Sequence, residues 1–357
     1  MGKRDYSMHG PDAGRAIEAG LAAAEWYHTD LPRKQMKALM KRADQPAIRD
    51  TLVLFAMMIL LAGIGIALWP SLSSAPFWLA YGVLYGSAMD SRWHEAGHGT
   101  AFKTRWMNDW LYQVASFCMM RNPTTWRYSH ARHHTDTIIV GRDPEVAIMR
   151  PPEALKLILT FLGIRDVVLA VSRMLLNASG KLDPQEATWI PDQEQQKVVR
   201  VARIWVLIYA AVIALALWMG SVLPLMVIGL PRIYGAWHHV MTGFLQHGGL
   251  ADNVIDHRLN SRTVHMNPVS RFIYWNMNYH IEHHMFPMVP YHLLPALHAA
   301  IRHDLPAPSR SILAAYREML PALKRQLTNE EYFVQRTLPA TAKPYKHAHD
   351  SAPTAAE

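Results

Sequence analysis

Two long stretches of this chain carry no charge, and they restrict its possible folds more than any other feature. Between Leu52 and Met89 there is no Asp, Glu, Lys or Arg, and between Ile204 and Pro231 there is again none. A helix needs about 20 apolar residues to cross a bilayer, so each stretch is long enough to enter one. The first reads as two passes, residues 51–69 and 76–91, turning at Pro70-Ser71-Leu72-Ser73-Ser74. The second reads as passes 203–219 and 222–240, turning near Gly220-Ser221; its 28 charge-free residues are tight for two helices, so the last pass must run into the more polar stretch containing Arg232. The fold expected is all-α, a four-span transmembrane helical bundle. One tilted helix per stretch, or the buried core of a soluble protein, is the competing reading.

Both turns lack Lys and Arg, while the N-terminal, central and C-terminal segments are basic. The positive-inside rule then places those segments, and both termini, in the cytoplasm. The formal charge of +8 is accounted for by attraction to anionic phospholipid headgroups. No basic surface interleaved with base-reading elements is visible, which excludes nucleic-acid binding. A single cysteine, Cys118, excludes an internal disulfide, and without paired cysteines there is no iron–sulfur or zinc-ribbon module. The chain divides into three parts. Residues 1–50 form a cytosolic N-terminal segment, too charged for a signal peptide, whose basic stretch Lys34–Arg42 suits a helix lying on headgroups. Residues 51–337 form the membrane domain, in which 153–176 is apolar but broken by Arg165, Asp166 and Arg173 and reads as interfacial. Residues 338–357 are a Pro/Ala-rich tail expected to be disordered.

Histidines mark the chemistry. His94 and His98 lie in HEAGH; His130, His133 and His134 in HARHH; His280, His283 and His284 in HIEHH; and His247 in QHGG. Residues three or four apart share a helix face, so each cluster can aim two or three imidazoles at one point. Imidazole suits iron, zinc, copper and nickel. Eight or nine imidazoles exceed what one ion can use, so two ions are implied. All the clusters fall at the cytoplasmic ends of the expected spans or in cytoplasmic segments, which permits one centre at the membrane boundary. HEAGH alone also matches H-E-x-x-H, in which two His bind zinc and the Glu activates water for peptide hydrolysis. That reading lacks a third His six residues on, where Thr104 stands, and leaves two clusters without a task.

The segments HEAGHGTAF, WRYSHARHHTDT and NMNYHIEHHMFPMVPYHLLPALH resemble the three histidine boxes of the membrane fatty acid desaturase superfamily, which also contains alkane and small-molecule hydroxylases. The similarity runs from about Trp26 to Leu320 and is most specific through Asn276–His298. It implies a cytosolic helical cap over the four spans and a non-haem di-iron centre. On that resemblance the metal ligands are His94, His98, His130, His133, His134, His280, His283 and His284, with His247 where the family usually supplies a further ligand. Some members carry another polar partner four residues earlier; Gly243 stands there in this chain. His238 and His239 lie eight or nine residues from His247 and read as outer or structural groups.

Iron with open positions can use O2 to remove hydrogen from an unactivated carbon, which zinc, lacking redox chemistry, cannot. Carboxylates that could orient the imidazoles are Glu95, Asp136, Asp143, Glu145 and Glu282, with Asp143 in GRDPE the best placed. The expected activity is O2-dependent desaturation of a fatty acyl or lipid-like chain, the third box having the desaturase form. Hydroxylation of an alkyl or small-molecule substrate is the alternative. Electrons must come from a separate donor of ferredoxin, rubredoxin or cytochrome b5 type, and a basic cytosolic face would steer an acidic carrier. The setting expected is a bacterial inner membrane with the metal site on its cytoplasmic side.

Overall fold

The computed structural model describes residues 4–347 and is helical throughout, with only two isolated bridges, Thr263 to Tyr279 and Val264 to Ser309, among the described residues. Two uninterrupted helices are long and apolar enough to cross a bilayer, Gln45–Ala67 and Asp192–Met219. Pro46 suits the first turn of the former, where its missing N–H costs nothing, and the latter ends at Gly220 in the left-handed region. Only 28% and 17% of their most apolar windows are buried inside the protein. Apolar residues that face outward along a whole helix are what a lipid-facing helix presents and a soluble core helix does not.

The second expected pass is a run of three segments without a gap, Ala75–Val83, a π-helical turn Leu84–Ala88, and Met89–Gly97. A π turn shifts helical register and so rotates everything after it. The fourth expected pass, 222–240, is not one helix. It is broken into Leu223–Val227, Pro231–Tyr234 and Trp237–His247. Gly229 lies at φ +100°, Pro231 lacks an N–H to continue a helix, and Gly235 packs directly on Gly82 of the second pass. The interfacial stretch forms Ala154–Phe161 and Ile164–Ala178, hinged at the left-handed Gly163, with Leu155, Ile158, Val168 and Leu175 exposed along it.

In the N-terminal segment, Pro32 caps the helix Arg33–Leu39. The described part of the expected tail is tied to the body: Arg258 donates to the carbonyls of Lys343 and Pro344 at 3.0 and 2.9 Å, and the Lys346 amide donates to Asp256 at 3.0 Å. Residues 348–357 lie outside the described residues. The main core packs Trp93, Tyr112 and Trp126 with Ile281, Met285, Leu294 and Leu297, and so surrounds the ends of the histidine-bearing helices.

The Gly82–Gly235 contact fixes how the second pass meets the broken one. A Cβ at Gly235 would stand 1.9 Å from the Gly82 carbonyl oxygen, whereas one at Gly63 meets nothing within 4 Å. Gly235→Ala is expected to destabilise the protein by about 1–3 kcal/mol through overpacking. Gly63→Ala should be neutral or stabilising by about 0.5–1 kcal/mol. Thermal unfolding in detergent, comparing both variants with the parent, checks the pair.

Candidate metal centre

Four helices deliver the imidazoles. His94 sits in Met89–Gly97, downstream of the π turn, and His98 caps that helix. His130, His133 and His134 sit in Pro123–Thr135, which Asn122 caps by accepting from the Thr124 amide at 3.1 Å, with Pro123 at its first position. His247 ends Trp237–His247. The short helix His280–Met285 carries the last three and follows two left-handed residues, Trp275 and Asn276.

These side chains converge on two points. His94, His98, His130, His134 and His283 form one group, and His133, His247, His280 and His284 the other, with the ligand atoms of each group within 4.8 Å of one another. Each H-x2-H-H box is divided between them. Members four apart share a face and serve one point (His130 with His134, His280 with His284), and the member between them turns to the other point. Each box thus gives two imidazoles to one centre and one to its neighbour.

The Nε2 atoms face one another closely. His94 stands 2.8 Å from His283 and 3.2 Å from His130, and His130 lies 3.0 Å from His98 and 3.1 Å from His134. His280 lies 3.0 Å from both His247 and His284. Two nitrogens about 2.1 Å from a shared ion sit about 3.0 Å apart at right angles and about 3.4 Å apart at the tetrahedral angle. The observed spacings are short enough for the facing nitrogens of each group to hold one shared ion.

Four of the outer ring nitrogens are held so that Nε2 is the free one, while those of His134, His280 and His283 have no partner among the described residues. His133 Nδ1 donates to Asp143 at 2.8 Å, and that carboxylate is pinned in turn by the amides of Ile138 and Glu145, each at 2.8 Å. His130 Nδ1 lies 2.9 Å from Glu145, which also accepts from Ser129. His247 Nδ1 meets the Asn260 carbonyl at 2.8 Å, and a carbonyl can only accept. His284 Nδ1 lies 3.3 Å from Thr137 Oγ1, whose own proton goes to the His133 carbonyl at 2.6 Å. Fixing Nδ1–H in this way leaves the Nε2 lone pair for a metal.

Electrostatics agree. Burial, aided by the charge of His133, pulls His98 down to about 4, so it is neutral at physiological pH. Burial also acts to lower His133, but the carboxylate of Asp143 outweighs it and the net shift is upward. Burial pushes the Glu145 carboxyl up to about 7.

Of the carboxylates expected to orient the cluster, Asp143 and Glu145 do. Glu95, Asp136 and Glu282 do not bond a cluster imidazole. Glu95 accepts from the Tyr291 amide at 2.9 Å, Asp136 pairs with Arg142 at 3.1 Å, and Glu282 accepts from Thr263 at 2.6 Å and from His298. Nearness in sequence placed them beside ligands, but on a helix the next residue points away from its neighbour's target. Glu95 therefore faces away from the site where a zinc protease would need it. His238 and His239 join neither group. Sequence reasoning missed Thr137, although it stands four residues after His133, and it missed the Asn260 carbonyl, which carries no side-chain signature.

A cavity of about 630 Å³ reaches His94, His130, His133, His247 and His280, and passes Gly243, where a Cβ would meet nothing within 4 Å. Gly243 thus leaves open space where a polar side chain would have filled it. A second pocket of about 240 Å³ reaches the half-buried His98 and is lined by Arg42, Lys103, Arg105 and Arg127 with the single acid Asp109.

Asp143→Asn is expected to weaken metal binding about 10–100-fold, the usual cost of losing the group behind a ligating histidine. Asp136→Asn should leave it unchanged. Competition with a chelator of known affinity, monitored by metal retained, separates the two.

The family model described as fatty acid desaturase matches residues 67–314. The chain is 24% identical over 264 residues to a fatty acid conjugase of Calendula officinalis, covering 66% of this chain and 70% of the relative. It is 23% identical over 275 residues to a chloroplastic omega-3 fatty acid desaturase of Glycine max, covering 71% and 59%. It is 24% identical over 254 residues to an endoplasmic reticulum acyl-lipid omega-3 desaturase (cytochrome b5) of Arabidopsis thaliana, covering 65% and 64%. The chain thus spans less than two thirds of the length of the last two. With the family match covering most of the chain and enclosing every clustered histidine, the protein belongs to the fatty acid desaturase family.

Proposed function

We propose that this chain is an integral-membrane oxidoreductase that uses O2 and electrons from a separate carrier to desaturate a fatty acyl or lipid-like chain at two non-haem irons. The observation that carries this reading is the two-to-one division of the second and third histidine boxes between two adjoining clusters, whose members His134 and His284 have ring centroids 4.5 Å apart. An all-nitrogen ligand set with open positions suits iron, and bound iron would supply the oxidising power drawn from O2. His94, His98, His130, His134 and His283 would hold one ion, and His133, His247, His280 and His284 the other.

The protein's own part is to bind, orient and shield. Asp143 and Glu145 fix the rings of His133 and His130 from behind. The buried core residues Trp93, Trp126 and Met285 keep bulk water from the clusters. Glu145, with its carboxyl pushed up to about 7, can hold a proton on the cavity wall. The cavity admits a chain to the side of the centre where five imidazoles are exposed to it.

The membrane arrangement proposed has four passes: the two uninterrupted helices, the π-interrupted run, and the broken segment 223–247 packed against it. Residues 4–44, the central segment 98–191 and residues 248–347 form a cytosolic cap, in a bacterial inner membrane. The carrier is a ferredoxin, rubredoxin or cytochrome b5 type protein, the last appearing in one relative's name. Its docking place is the basic pocket beside His98, where four cations face one anion and a ligand of the first cluster reaches the surface. An acidic carrier is steered there by complementary charge.

Purified protein should contain about two irons per chain, one for each histidine group. Cells expressing it should accumulate lipids lacking two hydrogens, seen by mass spectrometry, and His283→Ala should lose both iron and product. Products that have gained an oxygen atom would assign hydroxylation instead, and zinc without iron would end the proposal. For the carrier, Lys103→Glu combined with Arg127→Glu should raise its KM about tenfold at low salt, far more than it lowers kcat, with the difference shrinking as salt screens the charges. Steady-state kinetics at two ionic strengths read this.

A further inference from the structure

Four arginines are among the largest side chains fully buried in the protein: Arg92, Arg232, Arg258 and Arg262. Three have evident partners. Arg92 donates through Nη1 to the carbonyls of Phe272 and Ile273 at 3.0 and 2.9 Å and lies over the Trp275 ring, although its Nε and Nη2 have no partner among the described residues. Arg258 pairs with Asp256 at 2.7 Å and Asp304 at 3.0 Å. Arg262 pairs with Glu318 at 2.9 Å and donates to the Leu245 carbonyl at 2.7 Å. Arg232 has none of this. Among the described residues its one side-chain hydrogen bond runs from Nη1 to the sulfur of Met119 at 3.6 Å, and its Nε has no partner.

A buried guanidinium without an anion is costly, and this one lines the same cavity as His94, His130 and His247. The other cations of that cavity are largely matched: Arg121 to Asp90 at 3.1 Å, Arg173 to Glu186 at 3.4 Å and Arg150 to Asp252 at 3.2 Å. Asp90 and Asp166 act on Arg232 through space, yet neither forms an ion pair with it among the described residues. Its position is also built. Gly163, left-handed at φ +72°, has no Cβ where one would stand 2.4 Å from the Arg232 carbonyl oxygen, and Gly235 seats the same short helix against Gly82. The cavity that Arg232 shares with the histidines is lined on its apolar parts by Met119, Trp93, Trp126, Val240 and Phe244, alongside polar groups such as Asp90, Arg121 and Glu145.

We propose that Arg232 anchors the anionic group, a carboxylate or a phosphate, of an amphiphilic substrate whose chain lies along this cavity toward the histidine clusters. Guanidinium matches either oxyanion through two parallel hydrogen bonds, and a cavity of about 630 Å³ is in the range that encloses such a molecule. The substrate is thus a free acid or phosphate held by its head inside the protein, with its position against the metals set from that anchor. The inference rests on the desaturase reading for what happens at the metals, and not for the binding itself.

The test is equilibrium binding to the metal-loaded protein in phosphatidylcholine nanodiscs, using dodecanoate, dodecyl phosphate and methyl dodecanoate. Dodecanoate or dodecyl phosphate should bind at least about tenfold more tightly than the ester, and which of the two binds more tightly identifies the head group. Arg232→Gln should abolish that preference while leaving the ester's affinity and the metal content unchanged, and Arg232→Lys should restore part of it. An ester bound as tightly as both anions by the unaltered protein would overturn the anchor, a comparison that needs no variant to fold. Equal weakening of all three probes in Arg232→Gln would overturn it too. Anion preference in a protein that holds no iron would sink the desaturase reading and leave the anchor standing; iron-dependent turnover without preference would do the reverse.

Discussion

Bare nitrogen lone pairs facing one another in the interior are the constraint on which this protein turns. The Asn260 carbonyl fixes the proton of His247 on Nδ1, and Thr137 does the same for His284. Both rings therefore present an unprotonated Nε2, and both point at His280 Nε2 from 3.0 Å. His280 can give a proton to only one of them. Protonating more rings would place positive charges side by side in a buried site, where they repel strongly. A cation between the nitrogens resolves the conflict, which is why the donor arrangement itself points to metal. The rest of the fold holds this otherwise unfavourable contact in place.

Several local devices serve that end. The π turn Leu84–Ala88 comes just before His94 and sets the phase of the helix end that carries His94 and His98. Asp143 is held at both oxygens by backbone amides, so His133 leans on a fixed carboxylate rather than a mobile one. Glu282, buried at the centre of the third box, anchors that six-residue helix through Thr263 and His298. A helix this short has little stability of its own, and these tertiary bonds replace what its length cannot supply.

The histidines were legible because helical spacing is a physical code: positions three and four apart share a face whatever surrounds them. The code alone does not yield the sharing of each box between two centres: His130 and His133, three apart, also share a face and yet serve different groups. Charge-free length revealed Gln45–Ala67 and Asp192–Met219 for an equally direct reason. The fourth stretch misled because composition counts apolar residues and ignores backbone punctuation; Gly229, Pro231 and Gly235 break what hydropathy joins. The carboxylates divide similarly. Asp143 and Glu145 lie in a loop free to turn back on the ligands, whereas Glu95 and Glu282 are locked by their helices into pointing elsewhere. Asn260 acts through its backbone, and nothing in a residue's identity announces that.

Sharing the boxes between two centres has a consequence for traffic. His98 borders the small basic pocket and not the large cavity, while His94, His130, His133, His247 and His280 border the cavity. The two approaches thus meet the same cluster through different ligands: His98 on one path, His94 and His130 on the other. A protein carrier needs only to bring its redox centre near a ligand at the surface, and charge suffices to hold it there briefly. A chain that must lose hydrogen from one chosen carbon needs the opposite, a closed apolar wall and fixed points at both ends. Under the proposed function one fold would meet both needs, because the first cluster reaches the basic pocket through His98 and the large cavity through His94 and His130, with His283 buried.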